Sequence, residues 1–198
     1  MIHLLIKMID IDNIKKKLTP DLKHTETRIY FGKIISSFIF NGQLSQSDFE
    51  TIETKLKKSC KLKDIPYALF NEYCYDKYTY YSNSKMDRLI SYDIVDTNHS
   101  TTDNMDCKIN HIKLRDHNTM LFDGKRYYDH VQPFLEATLK LSNHLYIKLR
   151  KNIYTYDTNG PASSYQVYIV LKNNFETVKQ KNDSINLGSK IIYDMLIL

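Results

Sequence analysis

Residues 145–149 read Leu-Tyr-Ile-Lys-Leu, with Leu145, Ile147 and Leu149 alternating with Tyr146 and Lys148. Successive side chains on a β-strand point to opposite faces, so this segment buries one face and leaves the other polar. That pattern belongs to an antiparallel sheet with one covered face. The strand is expected to run from Leu145 to Tyr156.

The same character extends outward from it. Tyr78–Tyr81, Arg88–Val95, Cys107–Leu114, Lys125–Val131, Phe134–Leu141, Tyr165–Leu171 and Lys190–Leu198 read as further strands, rich in β-branched and aromatic residues. Phe134–Leu141 could also be helical, because Glu136, Ala137 and Leu139 favour helix. Polar clusters separate the strands, among them Asp96–Asp106, Asp157–Ser164 and Lys172–Asn186. His24–Phe40 reads as one or two strands ending at the Asn41-Gly42 turn.

Two segments read as helices. Ile11, Ile14 and Leu18 fall at helical spacing, and Pro20 follows them. Ser45–Lys58 has Ser45 as N-cap, Asp48 three residues on, and Phe49, Ile52 and Leu56 as one apolar stripe. The expected fold is α+β: a mainly antiparallel β-barrel or sandwich with a few peripheral helices, as one domain over 1–198. Within it, 1–20 is a helical arm, 45–58 the amphipathic helix, and 67–198 mostly β.

Composition narrows the function classes. The 198 residues carry 28 basic and 23 acidic side chains, a net charge of +5. Most of the basic residues are lysines, as in AT-rich coding sequences, and arginine is scarce. Dedicated base reading favours Arg, so a single-stranded nucleic-acid surface is the less favoured reading. Three cysteines, Cys60, Cys74 and Cys107, form neither a Cys-x-x-Cys motif nor an even set, which fits free thiols in a reducing compartment. The opening residues lack a basic start and a cleavage site, and no run reaches the ~18 apolar residues a spanning helix needs. A cytoplasmic location, in a host cytoplasm or viral factory, is the expectation.

Catalytic signatures are missing. The five glycines are scattered, which excludes Rossmann and phosphate-loop motifs, and no Gly-x-Ser-x-Gly occurs. The seven histidines show no tight ligand spacing; His111 and His117 lie six apart. Asp10-x-Asp12 opens a helix, where acids complement the helix dipole. No metal site is expected from these residues.

Tyrosine is the unusual quantity, with 16 copies and no Trp. Tyr73, Tyr75, Tyr78, Tyr80 and Tyr81 cluster, as do Tyr127 with Tyr128 and Tyr154 with Tyr156. On strands such residues give large contact area at low entropy cost. They are the candidate interface residues.

One family resembles this order of elements. Glu26-Thr27-Arg28-Ile29-Tyr30-Phe31-Gly32 resembles the Glu-x-Glu-x-Arg-Phe-Gly strand of viral and fungal RNA triphosphatases of the triphosphate tunnel metalloenzyme superfamily. Ser45–Lys58 looks like the helix that follows it. The segment with Lys148, Arg150 and Lys151 looks like a basic tunnel wall, and Tyr193–Leu198 looks like the closing Tyr-Glu-x-Glu-x-Glu strand. The resemblance implies a tunnel in which alternating glutamates hold Mg²⁺ or Mn²⁺ and basic side chains hold a triphosphate. Glu26, Arg28, Lys148, Arg150 and Asp194 would line it. The departures are sharp: Arg28 stands at the second Glu position, Leu196 and Leu198 replace acids, and no Glu-x-Glu occurs anywhere. A hard cation needs more carboxylate oxygens than that.

The residues taken together point away from catalysis. They favour a viral-type structural or scaffold protein, of the capsid, occlusion-body or assembly kind. It would self-associate or bind other viral proteins through the tyrosine surface, with no cofactor and no membrane. The alternative is an RNA 5′-triphosphatase-like protein, or a capping-complex accessory subunit, that binds triphosphate ends.

Overall fold

In the computed structural model, the described residues are 11–18, 26–36, 39–75, 78–83, 86–100, 106–116, 130–153 and 163–196. Three helices and nine strands follow in the order α1 (Ile11–Leu18), β1 (Glu26–Ser36), β2 (Ile39–Asn41), α2 (Gln46–Ser59), β3 (Ala68–Tyr75), β4 (Tyr78–Asn83), β5 (Met86–Ser100), β6 (Asp106–Asp116), β7 (His130–Lys140), β8 (Leu145–Ile153), β9 (Ser163–Lys172) and α3 (Val178–Leu196).

The strands are antiparallel and run β2-β1-β6-β5-β4-β3-β7-β8-β9. Strand β1 decides the architecture. Glu26–Gly32 pair with Ile112–Asp106 of β6, and Glu26–Tyr30 also pair with Lys172–Tyr168 of β9. A strand has two hydrogen-bonding edges, and β1 uses both. The other ends of the sheet therefore meet at β1, and eight strands form a ring with β2 as a short appendage. This is the barrel form of the expected α+β fold.

Alternation then sorts the side chains. Ile29 and Phe31 of β1, Cys107 and Ile109 of β6, Leu145, Ile147 and Leu149 of β8, and Val167, Ile169 and Leu171 of β9 share the outer face. They pack with Leu18 of α1, Phe49, Ile52 and Leu56 of α2, and Ile185 of α3 in one apolar core. Each such fully buried side chain contributes about 1.5–3 kcal/mol. The core thus lies outside the ring, between wall and helices, and the inner face is left to other residues.

The helix α2 forms where its signals place it. The Ser45 hydroxyl accepts from the Asp48 amide at 3.1 Å and donates to the Asp48 carboxylate at 2.7 Å. Its chain is tied to the barrel by a bridge from the Leu44 amide to the Tyr165 carbonyl at 2.8 Å, and Phe49 meets Tyr165 ring to ring at 5.0 Å. Its last turn closes with the Leu62 amide on the Lys57 carbonyl, and Lys61 takes φ 52°. Segment 130–140 is strand β7 and not a helix.

The end of the chain differs from expectation. Residues 190–196, read as a closing strand, belong to helix α3, which also takes in part of the polar cluster 172–186. Ser184, Ile185, Gly188 and Ser189 form its buried stripe, at helical spacing. Three of the four are small or polar, so the stripe carries little apolar signal. It is small because the helix lies close: a Cβ on Gly188 would meet Leu145 at 3.6 Å and Leu18 at 3.9 Å. The strand that closes the ring is β9. Neither Cys60 nor Cys107, the second of them buried, is in a disulfide. No helix among the described residues is long and apolar enough to cross a membrane.

Candidate functional site

The inner face is read from register. Glu26, Arg28 and Tyr30 of β1 are the even positions, opposite in sense to Ile29 and Phe31. Tyr30 is level with Lys108 of β6 and Tyr168 of β9; Tyr168 is level with Lys148 of β8, and Arg150 with Glu136 of β7. Glu72 of β3 is level with Gln132 of β7, which shares a face with Phe134 and Glu136. Among the described residues the glutamates Glu26, Glu72 and Glu136 and the bases Arg28, Lys108, Lys148 and Arg150 therefore point inward from five strands.

Each carboxylate has a cationic partner. Arg28 Nε donates to Glu26 Oε1 at 2.5 Å, two residues apart on one face of β1. Lys148 Nζ donates to Glu136 Oε1 at 2.6 Å, and the Tyr168 hydroxyl donates to Glu136 Oε2 at 2.6 Å. Arg150 pairs with Glu72, and its Nε donates to Asn152 Oδ1 at 2.5 Å. Asn152 in turn donates to Ser164 Oγ at 2.9 Å. These groups are held off water: the side chains of Glu26, Glu136, Arg28 and Arg150 are 12% exposed or less, while Lys148 is 30% exposed.

Aromatic rings complete the wall. Tyr30 stacks on Tyr168 at 5.2 Å, and Phe70 on Phe134 at 5.5 Å. The Arg150 guanidinium lies 3.7 Å from the Phe134 ring centroid. A guanidinium with one face on a ring and its edge on a carboxylate is fixed in direction. Lys148 and Arg150 lie two residues apart, roughly 7 Å along the strand.

Four of the five residues expected to line a tunnel are thus on the inner face: Glu26, Arg28, Lys148 and Arg150. Asp194 lies on helix α3, outside the barrel wall. Lys151, grouped with the tunnel bases by sequence, has the opposite parity. It sits 4.3 Å from the Tyr67 ring centroid and 3.6 Å from Glu53 of α2. Burial and the Glu53 charge push the Tyr67 phenol well above its ordinary value. Sequence reading missed Glu72 and Glu136; the signal for Glu136 was the alternation Phe134, Glu136, Thr138 on one face of β7.

Divalent-cation chemistry, implied by the tunnel resemblance, can be tested on these residues. The strand closing onto β1 offers Gln166, Tyr168 and Val170 inward, with no carboxylate. The three inward glutamates come from separate strands and are each bonded to a base. Among the described residues no group of three His, Cys, Asp or Glu side chains is placed to hold a metal ion. These described residues do not fit such an ion. His111, one of the histidine pair, is buried and shares a 3.0 Å hydrogen bond with Thr27. Burial lowers its pKa, against the charge of Asp96. His117 and Asp10 lie outside the described residues, and Asp12 is on α1.

Tyr73, Tyr75, Tyr78, Tyr80 and Tyr81 are in β3 and β4, with Tyr73 level with Tyr80 and Tyr75 with Tyr78 in the backbone ladder. Both strands are bonded on both edges, β3 to β4 and β7, β4 to β3 and β5. They offer no open edge for another copy to extend. Tyr127, Tyr128, Tyr154 and Tyr156 lie outside the described residues.

No protein-family model matches the sequence, and no curated protein sequence matches it. Solved structures do. The chain is similar to the Pct1 RNA triphosphatase of S. pombe, with a TM-score of 0.66, 13% identity, and coverage of 98% of this chain and 94% of that one. A second structure of that protein, in complex with the Spt5 CTD, gives a TM-score of 0.64 at 11% identity, over 93% of this chain and 87% of that one. This likeness overturns the expectation of a capsid, occlusion-body or scaffold component. Despite the low identity, the chain has the tunnel fold of an RNA triphosphatase over nearly its whole length.

Proposed function

We propose that this protein takes the 5′-triphosphate end of an RNA into its barrel, as an RNA 5′-triphosphatase-like protein of the end-binding kind. One observation carries the reading: strand alternation in a triphosphatase-type ring turns Arg28, Lys148 and Arg150 to the inside, with Lys108 on the same face. Polyphosphate is recognised by bidentate guanidinium and by ammonium groups, and these bond it more strongly than neutral donors do. Arg150 supplies a guanidinium fixed by Phe134, and Lys148 a point charge nearer to water. Thr138, level with Lys148, is exposed, which keeps that part of the inner face open to solvent.

The residues present supply binding and orientation. The reading passes through no metal step, because the described inward glutamates are each bonded to a base. The test is binding of a short RNA with a 5′-triphosphate, measured by fluorescence anisotropy against the same RNA with a 5′-hydroxyl. Tighter binding of the triphosphate, lost in Arg150→Met, supports the reading. Equal affinity for the two ends sinks it.

A further inference from the structure

The proposal that follows rests on the reading of the barrel as a phosphate site. We infer that the barrel holds the phosphoryl chain without a divalent cation, by exchanging its internal ion pairs for phosphate contacts. Glu26 occupies Arg28, Glu136 occupies Lys148, and Glu72 occupies Arg150. Each carboxylate holds the side chain that a phosphate oxygen would take. A cation site would need those oxygens converging on one point, and here they diverge to three different bases on separate levels of the ring.

The carboxylates are therefore resting counter-ions. A base turned into a closed barrel without a partner carries a large desolvation cost, and a neighbouring carboxylate removes much of it. When the polyanion enters, it replaces that carboxylate as the partner of the base. The Tyr168 hydroxyl, already donating to Glu136, keeps one hydrogen bond on the carboxylate that is left behind. The two modes of binding differ in sign. Where a cation bridges glutamate and phosphate, removing the glutamate charge weakens the complex. Where glutamate competes with phosphate for the same base, removing it strengthens the complex.

The experiment is calorimetric titration of the full chain with inorganic tripolyphosphate, once in EDTA and once with Mg²⁺ at matched free tripolyphosphate. Wild type is expected to bind in EDTA with an affinity within about twofold of that in Mg²⁺. Glu136→Gln, isosteric and paired with the more exposed base, is expected to bind about three- to tenfold more tightly, from loss of one nearby like charge. Binding that appears only with Mg²⁺, or a Glu136→Gln variant that binds more weakly, overturns the inference and leaves the phosphate-site reading standing. Absence of binding in both solutions overturns both. Should Glu136→Gln fold poorly, Glu26→Gln on another strand repeats the test. The rise in melting temperature of wild type on adding tripolyphosphate in EDTA reads the same question with no substitution, and no rise there counts against the inference.

Discussion

Strand β8 has two faces, and they do different things. On one, Leu145, Ile147 and Leu149 are covered by the helices and carry the core. On the other, Lys148 and Arg150 meet Glu136 and Glu72 inside the ring. Lys151 is next to Arg150 in sequence, yet it lies on the first face, over Tyr67 and against Glu53. Adjacent basic residues thus have unrelated roles, and parity alone separates them. The outer face decides whether the barrel exists, and the inner face decides what it can hold.

The sharpest way to break that division is Leu149→Ala. Leu149 is fully buried on the outer face. Removing three carbons there opens a cavity and lowers unfolding free energy by about 3 kcal/mol, read by urea denaturation. Below the new midpoint, tripolyphosphate affinity should be unchanged. A variant that is stable but binds poorly would mean that the two faces are not separable.

Gly32 is next. It continues the even, inward positions of β1, but a Cβ there would fall 2.0 Å from the Asn41 carbonyl oxygen and 2.9 Å from the Gly42 Cα. Both neighbours are backbone and cannot rotate away. Gly32→Ala should cost about 2 kcal/mol or more through forced displacement of β2 and its turn. A loss under a few tenths, measured by thermal unfolding, would show that this corner of the barrel is slack.

The comparison of neighbours is sharpest as a pair of variants. Arg150→Met should weaken triphosphate-RNA binding about tenfold or more, the usual cost of a lost hydrogen bond to a charged group. Lys151→Met should leave that binding unchanged and cost at most about 1 kcal/mol of stability, as partly exposed pairs do. Similar binding losses in both would make net charge, and not parity, the determinant.

Much of this division was legible in the residues. The alternation at 145–149 placed Lys148 and Arg150 on one face, and Ser45 with Asp48 placed the start of α2. Glu26 and Arg28 were legible as a same-face pair two residues apart. What was not legible depends on partners distant in sequence. Glu72 meets Arg150 across 78 residues, and Glu136 meets Tyr168 across 32. No local pattern marks such pairings. Helix α3 was hidden for another reason, since three of the four residues in its buried stripe are serine or glycine. The apolar Ile191, Ile192 and Leu196 then resembled a strand because the preceding turns offered no matching stripe.

Acid tests the outer face under α1. His111 is buried there beside Thr27, and its pKa is lowered. The unfolded chain then binds more protons than the folded one below the ordinary histidine value of ~6.5, so stability falls as pH drops through that value toward the folded pKa. Above it the contribution is complete. Urea midpoints at successive pH values should show this decline, and His111→Asn should flatten it. A wild-type midpoint that rises on acidification through this range would contradict the assignment.

The smallest effect expected is of opposite sign. Glycine inside a helix costs up to about 1 kcal/mol relative to alanine, through the backbone freedom it loses on folding. Gly188 lies in the buried stripe of α3, where a Cβ would find Leu145 and Leu18 at 3.6 and 3.9 Å. Those are ordinary contact distances to the ends of flexible side chains, so the methyl is accommodated and adds apolar contact. Gly188→Ala should therefore raise the unfolding free energy by about 0.5–1 kcal/mol. Gly32 and Gly188 are then two glycines with contrary meanings. One is required because backbone fills the space beside it. The other lets α3 approach β8 with room for one more carbon. If Gly188→Ala destabilises, the helix lies closer to the wall than these distances state, and the outer core is tighter than the inner face it supports.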